Sequence, residues 1–181
     1  MLKRIGWAGL IAGLISGGFL FLMMVAFQGV PLEDNQFGAL LGYASMLVAL
    51  SFIFVAVKRQ RDLTQGGVIK FLPAFGMGLA ISVVAGVIYA LAWEVTLAVT
   101  GLDFGSSYSQ ASIEAAKAQG MTGAELEAYR TEMEAFAKMY ANPAYRIPMT
   151  FTEIFPVGVL VSLVSALLLR NSRFLPYRPT V

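Results

Sequence analysis

Long, mostly apolar stretches recur four times along the chain: Ile5 to about Gly29, about Phe37 to Val57, about Val68 to Gly101, and about Pro148 to Leu169. An α-helix rises 1.5 Å per residue, so crossing about 30 Å of hydrocarbon takes about 20 apolar residues, and each stretch is long enough. The first two are uncharged. The third carries Lys70 and Pro73 near its start and Glu94 late, and the fourth holds Glu153 near its start. The pattern predicts an all-α, polytopic membrane protein of four transmembrane helices (5–29, 37–57, 68–101 and 148–169), forming one membrane domain over residues 1–181.

The segment from about Leu102 to Ile147 has a different rhythm. Ser106 to Gln119 reads as a short helix that Gly120 interrupts. Thr122 followed by Glu125 has the spacing of a capping box, in which each side chain satisfies a free amide at a helix start. Beyond it Leu126, Tyr129, Met133, Phe136 and Tyr140 recur at helical spacing opposite Glu127, Arg130, Glu134 and Lys138, and Asn142-Pro143 ends the pattern. This predicts a helical, water-facing segment between the third and fourth spans. Its apolar stripe either covers the outer mouth of the bundle or receives a partner.

Charge decides orientation. Lys3, Arg4, Lys58, Arg59, Arg61, Lys70, Arg170, Arg173 and Arg178 are nine of the thirteen basic residues, and all flank the same ends of the four spans, opposed only by Asp62. The other side carries Glu33, Asp34 and the mixed segment 102–147. Short cytoplasmic loops keep an excess of Lys and Arg, so both termini are expected in the cytoplasm and residues 102–147 in the periplasm. Lys3 and Arg4 before an apolar run also suit a signal peptide. The run exceeds the usual 7–15 residues, however, and no small-x-small cleavage site follows Gln28-Gly29-Val30-Pro31, so an uncleaved helix is expected.

Composition removes most chemistry. The chain has no Cys and no His, which excludes disulfides, thiolate or imidazole metal sites and nucleophile–histidine catalysis. A net charge of +2 is too small to imply nucleic acid. No cofactor is expected.

Gly42-Tyr43-Ala44-Ser45-Met46 leads through an apolar helix to Arg61-Asp62 and then Gly66-Gly67-Val68-Ile69-Lys70-Phe71. With Thr150-Phe151-Thr152-Glu153-Ile154-Phe155-Pro156-Val157-Gly158, running on to Leu169-Arg170, these blocks resemble an uncharacterised bacterial inner-membrane family, the domain of unknown function 4199. The resemblance covers most of the chain. It implies four helices in a bacterial inner membrane and brings no activity, substrate or catalytic residue with it.

Small residues let helix backbones approach closely in lipid. Gly9, Gly13 and Gly17 lie four apart on the first helix, and Gly78, Ser82, Gly86 and Ala90 repeat the spacing on the third. The two faces are expected to meet within one chain, with homodimerisation through the first helix as the alternative. Ionisable groups in a membrane are costly and point to function, and only Glu94 and Glu153 qualify. Both count out to the outer boundary. Glu153 has an innocent explanation, since Thr150-Phe151-Thr152-Glu153 repeats the capping-box spacing and a helix dipole favours a carboxylate in the first turn. Glu94 lies near a helix C-terminus, where the dipole opposes it, so it needs a partner, and Arg146 is the candidate. Glu94, Glu153 and Arg146 thus form a candidate ligand or proton site. Pro156 adds a free carbonyl at Thr152. On the other side Arg59, Arg61 and Lys70 satisfy topology and could also hold lipid phosphates.

These features favour a non-enzymatic protein acting by association, as an accessory subunit of a larger inner-membrane complex or as a self-associating homodimer among membrane lipids. The alternatives are a small oligomeric transporter or a lipid-binding protein using Glu94 and Glu153. An enzyme with the two carboxylates as acid and base is the weakest reading.

Overall fold

The computed structural model describes residues 1–26 and 36–177, with the side chains of 36–39 left aside. Gln28-Gly29-Val30-Pro31, Glu33, Asp34 and Arg178 lie outside the described residues. Among the described residues seven helices follow in order: α1 (Leu2–Ala26), α2 (Gln36–Leu50), α3 (Phe52–Thr64), α4 (Phe71–Thr100), α5 (Phe104–Ala118), α6 (Gly123–Tyr140) and α7 (Pro143–Leu169). Four stretches, Leu2–Ala26, Leu40–Thr64, Phe71–Thr100 and Pro143–Leu169, are long and apolar enough to cross a membrane. The chain is an all-α polytopic membrane protein.

Local chemistry explains the boundaries. The second span runs through α2 and α3, broken at Ser51, whose hydroxyl donates to the Val48 carbonyl at 2.6 Å and competes with the helical ladder. α4 stops at Gly101, which adopts a left-handed φ of +66° and donates its N–H to Leu97 O. Asp103 then caps α5 by accepting from the Ser106 N–H at 3.1 Å and the Ser106 hydroxyl at 2.7 Å. These two bonds hold the Asp103 carboxyl below the usual carboxylate range. Thr122 occupies the N-cap position of α6, but its side chain accepts no cap bond. Gly123 behind it has a φ of +63°, and a cap oxygen reaches the next amides only when the first helical residue is already helical.

The fourth span begins at Pro143, five residues before the sequence expectation. Asn142 caps it, accepting from the Ala144 N–H at 3.0 Å, and Pro143 takes the first helical position, where its missing N–H costs nothing. Pro148 and Pro156 lie inside the helix. Glu153 is therefore ten residues into α7, so the capping explanation for it does not hold.

Helix α4 is the centre of the bundle, packed between α1 and α7. On α1 the glycine face forms a groove for α4: a Cβ at Gly9, Gly13 or Gly17 would stand 2.6, 2.6 or 2.5 Å from the Cβ atoms of Val84, Ile88 and Ala92. The small face of α4 turns to α7 instead. A Cβ at Gly78 would meet the Ser162 hydroxyl oxygen, one at Gly158 would meet that of Ser82, and one at Gly86 would meet the Phe151 ring, each at 2.6 Å. The two small faces expected to meet therefore do not: the α1 glycines receive Val84, Ile88 and Ala92, and the Gly78/Ser82 face of α4 interlocks with Gly158 and Ser162 of α7, each glycine taking the side chain of its neighbour. Ser82 and Ser162 donate to the carbonyls of Gly78 and Gly158 at 2.9 and 2.7 Å and lie 3.3 Å apart, so the crossing is satisfied without water. Ala12, Ile53, Val57, Ala74, Ile81, Ala85, Ala166 and Leu169 complete a core that excludes solvent.

Basic residues gather at one end. Arg4 donates to Arg59 O, Gln60 Oε1 and Thr64 Oγ1, joining the start of α1 to the end of α3. Arg61, fully buried, bonds Asp62 and reaches the carbonyls of Phe174 and Leu175 at 2.9 and 2.6 Å. Phe174 stacks edge-on against Phe54. Arg61 therefore straps the C-terminal segment to α3, which leaves its guanidinium no access to a lipid phosphate.

Candidate functional site

At the opposite end, the last turns of α4 and the first turns of α7 carry the residues singled out by charge. Starting α7 at Pro143 puts Arg146 on its first turn, facing α4. The guanidinium donates to both oxygens of Glu94, from Nε at 2.7 Å and from Nη2 at 2.5 Å, and Nη1 donates to the Tyr140 carbonyl at 3.1 Å. Both side chains are mostly covered, at 13% exposed for Arg146 and 23% for Glu94. A bidentate pair of this kind fixes orientation as well as charge, and it supplies Glu94 with the cation its position near a helix C-terminus requires.

Aromatic packing closes the space around the pair. The Arg146 guanidinium lies 5.8 Å from the centre of the Tyr140 ring. The Tyr140 hydroxyl accepts from Trp93 Nε1 at 2.8 Å, and Phe104 meets Trp93 edge-on and Tyr140 at a tilt. Burial pushes the Tyr140 phenol above its ordinary range. Tyr89 and Trp93 are 3% and 4% exposed and belong to the core, whereas Trp7, at the basic end, is exposed. The Trp93–Tyr140 bond escaped sequence reasoning, because only the reversal of the chain through α5 and α6 brings residues 93 and 140 together.

Glu153 stands apart from this pair. Seven residues separate it from Arg146 on α7, roughly 10 Å along the axis, and its nearest polar partner is the Tyr89 hydroxyl at 3.4 Å from Oε2. Its side chain is exposed on the bundle surface, as are those of Thr152 and Pro156. The trio expected from sequence is thus two arrangements: a closed Glu94–Arg146 pair and an open Glu153 beside Tyr89. Among the described residues, no three acidic side chains converge as metal ligands would.

The segment between α4 and α7 is a helical hairpin. The stripe on α6 turns mainly to α5, with Phe136 and Tyr140 packed on Tyr108 and Phe104. One flank of the hairpin opens into a cleft of about 590 Å³ lined by Asp103, Ser106, Gln110, Arg130, Glu134 and Lys138 among others. Asp103 is committed to Ser106 and Glu114 to Lys117, whereas Arg130 Nε is buried there without a partner. An unpaired buried donor is uncommon, and no spacing in the sequence announced this one.

With the helices and their polar residues placed, comparison with known proteins adds one finding. The profile of a family described as a protein of unknown function, DUF4199, matches residues 8–171. The chain belongs to this family. No curated protein and no solved structure matches it. The DUF4199 match takes in most of the first span, the other three and the hairpin, so the Glu94–Arg146 pair, Glu153 and the α5–α6 cleft all lie within the family's extent.

Proposed function

We propose that this DUF4199 protein acts by association, as a non-enzymatic subunit or scaffold of an assembly in a bacterial inner membrane, with its basic end in the cytoplasm and the α5–α6 hairpin in the periplasm. The observation that carries the reading is the closure of the bundle. At the crossings of α4 with α1 and α7 a single added Cβ would stand 2.5–2.6 Å from its neighbour, which leaves no room for a solute path there. The most prominent charge, Glu94, is neutralised by Arg146 rather than held open for a substrate. Free polar capacity lies instead on the hairpin, where Arg130 and Lys138 face the cleft. A packed bundle carrying an unsatisfied extramembrane surface suits a protein whose work is to hold another one.

The test combines cross-linking and flux. A photo-reactive residue in place of Glu134 is expected to capture one partner in stoichiometric yield from native membranes, and Arg130→Glu is expected to abolish the capture. The same residue in place of the exposed Val164 serves as control. Proton or cation flux through proteoliposomes of the purified chain, abolished by Glu94→Gln, would overturn the reading in favour of transport.

A further inference from the structure

We propose that Glu153, backed by Tyr89, is a docking point for the ammonium group of an aminophospholipid of the ethanolamine type, in the leaflet on the α5–α6 side. The inference is independent of any protein partner and rests only on the four spans crossing a bilayer.

Depth is the first argument. Glu153 is sixteen residues from Leu169 at the basic end of α7, roughly 24 Å, and Tyr89 is eighteen residues from Phe71 at the same end of α4, roughly 27 Å. In a hydrocarbon layer of about 30 Å both stand a few ångströms inside the far edge, within snorkelling reach of the headgroups.

Incomplete pairing is the second. Among the described residues no Lys or Arg approaches Glu153 within salt-bridge distance, although both other carboxylates in the span helices, Glu94 and Asp62, are paired. The Tyr89 hydroxyl, on a residue 3% exposed, donates one long hydrogen bond of 3.4 Å to a carboxylate oxygen, which orients the group without neutralising its charge. A charge at this depth is retained where something neutralises it.

The third argument is what surrounds the carboxylate. Glu153 is on the outer surface of the bundle, with Thr152 and Pro156 exposed beside it, so lipid is what covers it at this depth. Pro156 withholds the N–H that the Thr152 carbonyl would accept in an unbroken helix. The two carboxylate oxygens, with the Tyr89 hydroxyl behind one of them, form an acceptor set for a primary ammonium, which brings three donors and one positive charge. A choline headgroup brings the charge without N–H donors and fits the set less well.

The experiment uses the full chain in nanodiscs of equimolar phosphatidylethanolamine and phosphatidylcholine of matched acyl chains, with lipids retained after release counted by native mass spectrometry. The wild type is expected to keep phosphatidylethanolamine several-fold over phosphatidylcholine. Glu153→Gln is expected to lose that preference while melting like the wild type in phosphatidylcholine alone, and Tyr89→Phe to weaken it. Equal retention of the two lipids by the wild type, or a preference that survives Glu153→Gln, overturns the proposal. A second measurement needs no variant. A membrane-permeant carbodiimide activates the Glu153 carboxyl in native membranes, and a neighbouring primary amine then forms an amide as the reagent leaves as its urea. A phosphatidylethanolamine adduct on the Glu153 peptide supports the proposal. A cross-link to a lysine of another chain, or carbodiimide adduct with no amine captured, overturns it in favour of a protein contact or a proton site.

Discussion

Glu94 and Arg146 each depend on the other to be tolerated where they are. Removing one partner leaves a mostly covered charge uncompensated, and because both retain some exposure the cost is expected at about 1–3 kcal/mol rather than the full penalty of a deeply buried pair. Glu94→Gln and Arg146→Gln should each lower the melting temperature in detergent, and the double variant should recover part of the loss. Strict additivity in that cycle would show that the bidentate contact carries no coupling. Asp103 offers a pH test outside the spans. Its carboxyl is held below the ordinary range by the Ser106 hydroxyl and N–H, so the cap contributes stability at pH above the unfolded value, about 3.9, and loses it as pH falls through the lower folded value. Asp103→Ala should cost about 1 kcal/mol near neutral pH and progressively less toward pH 2. Hydrogen exchange in the first turn of α5 reads this directly, and a difference unchanged between pH 7 and pH 2 would rule the charged cap out.

Among the elements, packing predictions follow from which glycines are crowded. Gly13 and Gly18 lie on the same helix, yet a Cβ at Gly13 would be 2.6 Å from Ile88 Cβ while one at Gly18 would meet nothing within 4 Å. Gly13→Ala is expected to destabilise by about 1–3 kcal/mol through overpacking, and Gly18→Ala to be neutral or stabilising by up to about 1 kcal/mol through the unfolded chain. Equal melting of the two variants would mean that α1 does not seat on α4 as described. The existence of the spans was legible because about 20 consecutive apolar residues have few other physical meanings. The start of α7 was not. Asn142-Pro143 read as a stop and Pro148 as the start of the span, but a proline at the first helical position is tolerated, and a second one five residues on did not break the helix. That misplacement also turned Glu153 into an apparent cap. The small face of α4 was legible as a packing face, but its mate was not, since spacing reveals a groove and not the knob that fills it. Arg61 looked like one topogenic charge among several, and nothing local in the sequence announces a bond across more than a hundred residues to Phe174 and Leu175.

For the molecule as a whole, two sets of bonds constrain how the chain crosses a bilayer. Arg4 ties the start of α1 to Thr64 at the end of α3, and Arg61 ties α3 to Phe174 and Leu175 beyond α7. The N-terminal residues, the turn between α3 and α4, and the segment after α7 are therefore on one side, which requires an even number of crossings between each pair. Four spans provide that number, with the α5–α6 hairpin joining the third to the fourth on the far side. In the proposed orientation the shared basic end is the cytoplasmic one, because short cytoplasmic loops keep an excess of Lys and Arg. Compartment reporters fused after Thr64 and after Leu175 are accordingly expected to agree with each other and to read as cytoplasmic, while a reporter after Gly120 reads as external. Disagreement between the first two would break the Arg61 strap. Agreement of all three would mean that α4 and α7 fail to cross and would overturn the four-span arrangement, which rests on their lengths of 30 and 27 residues and their apolar composition.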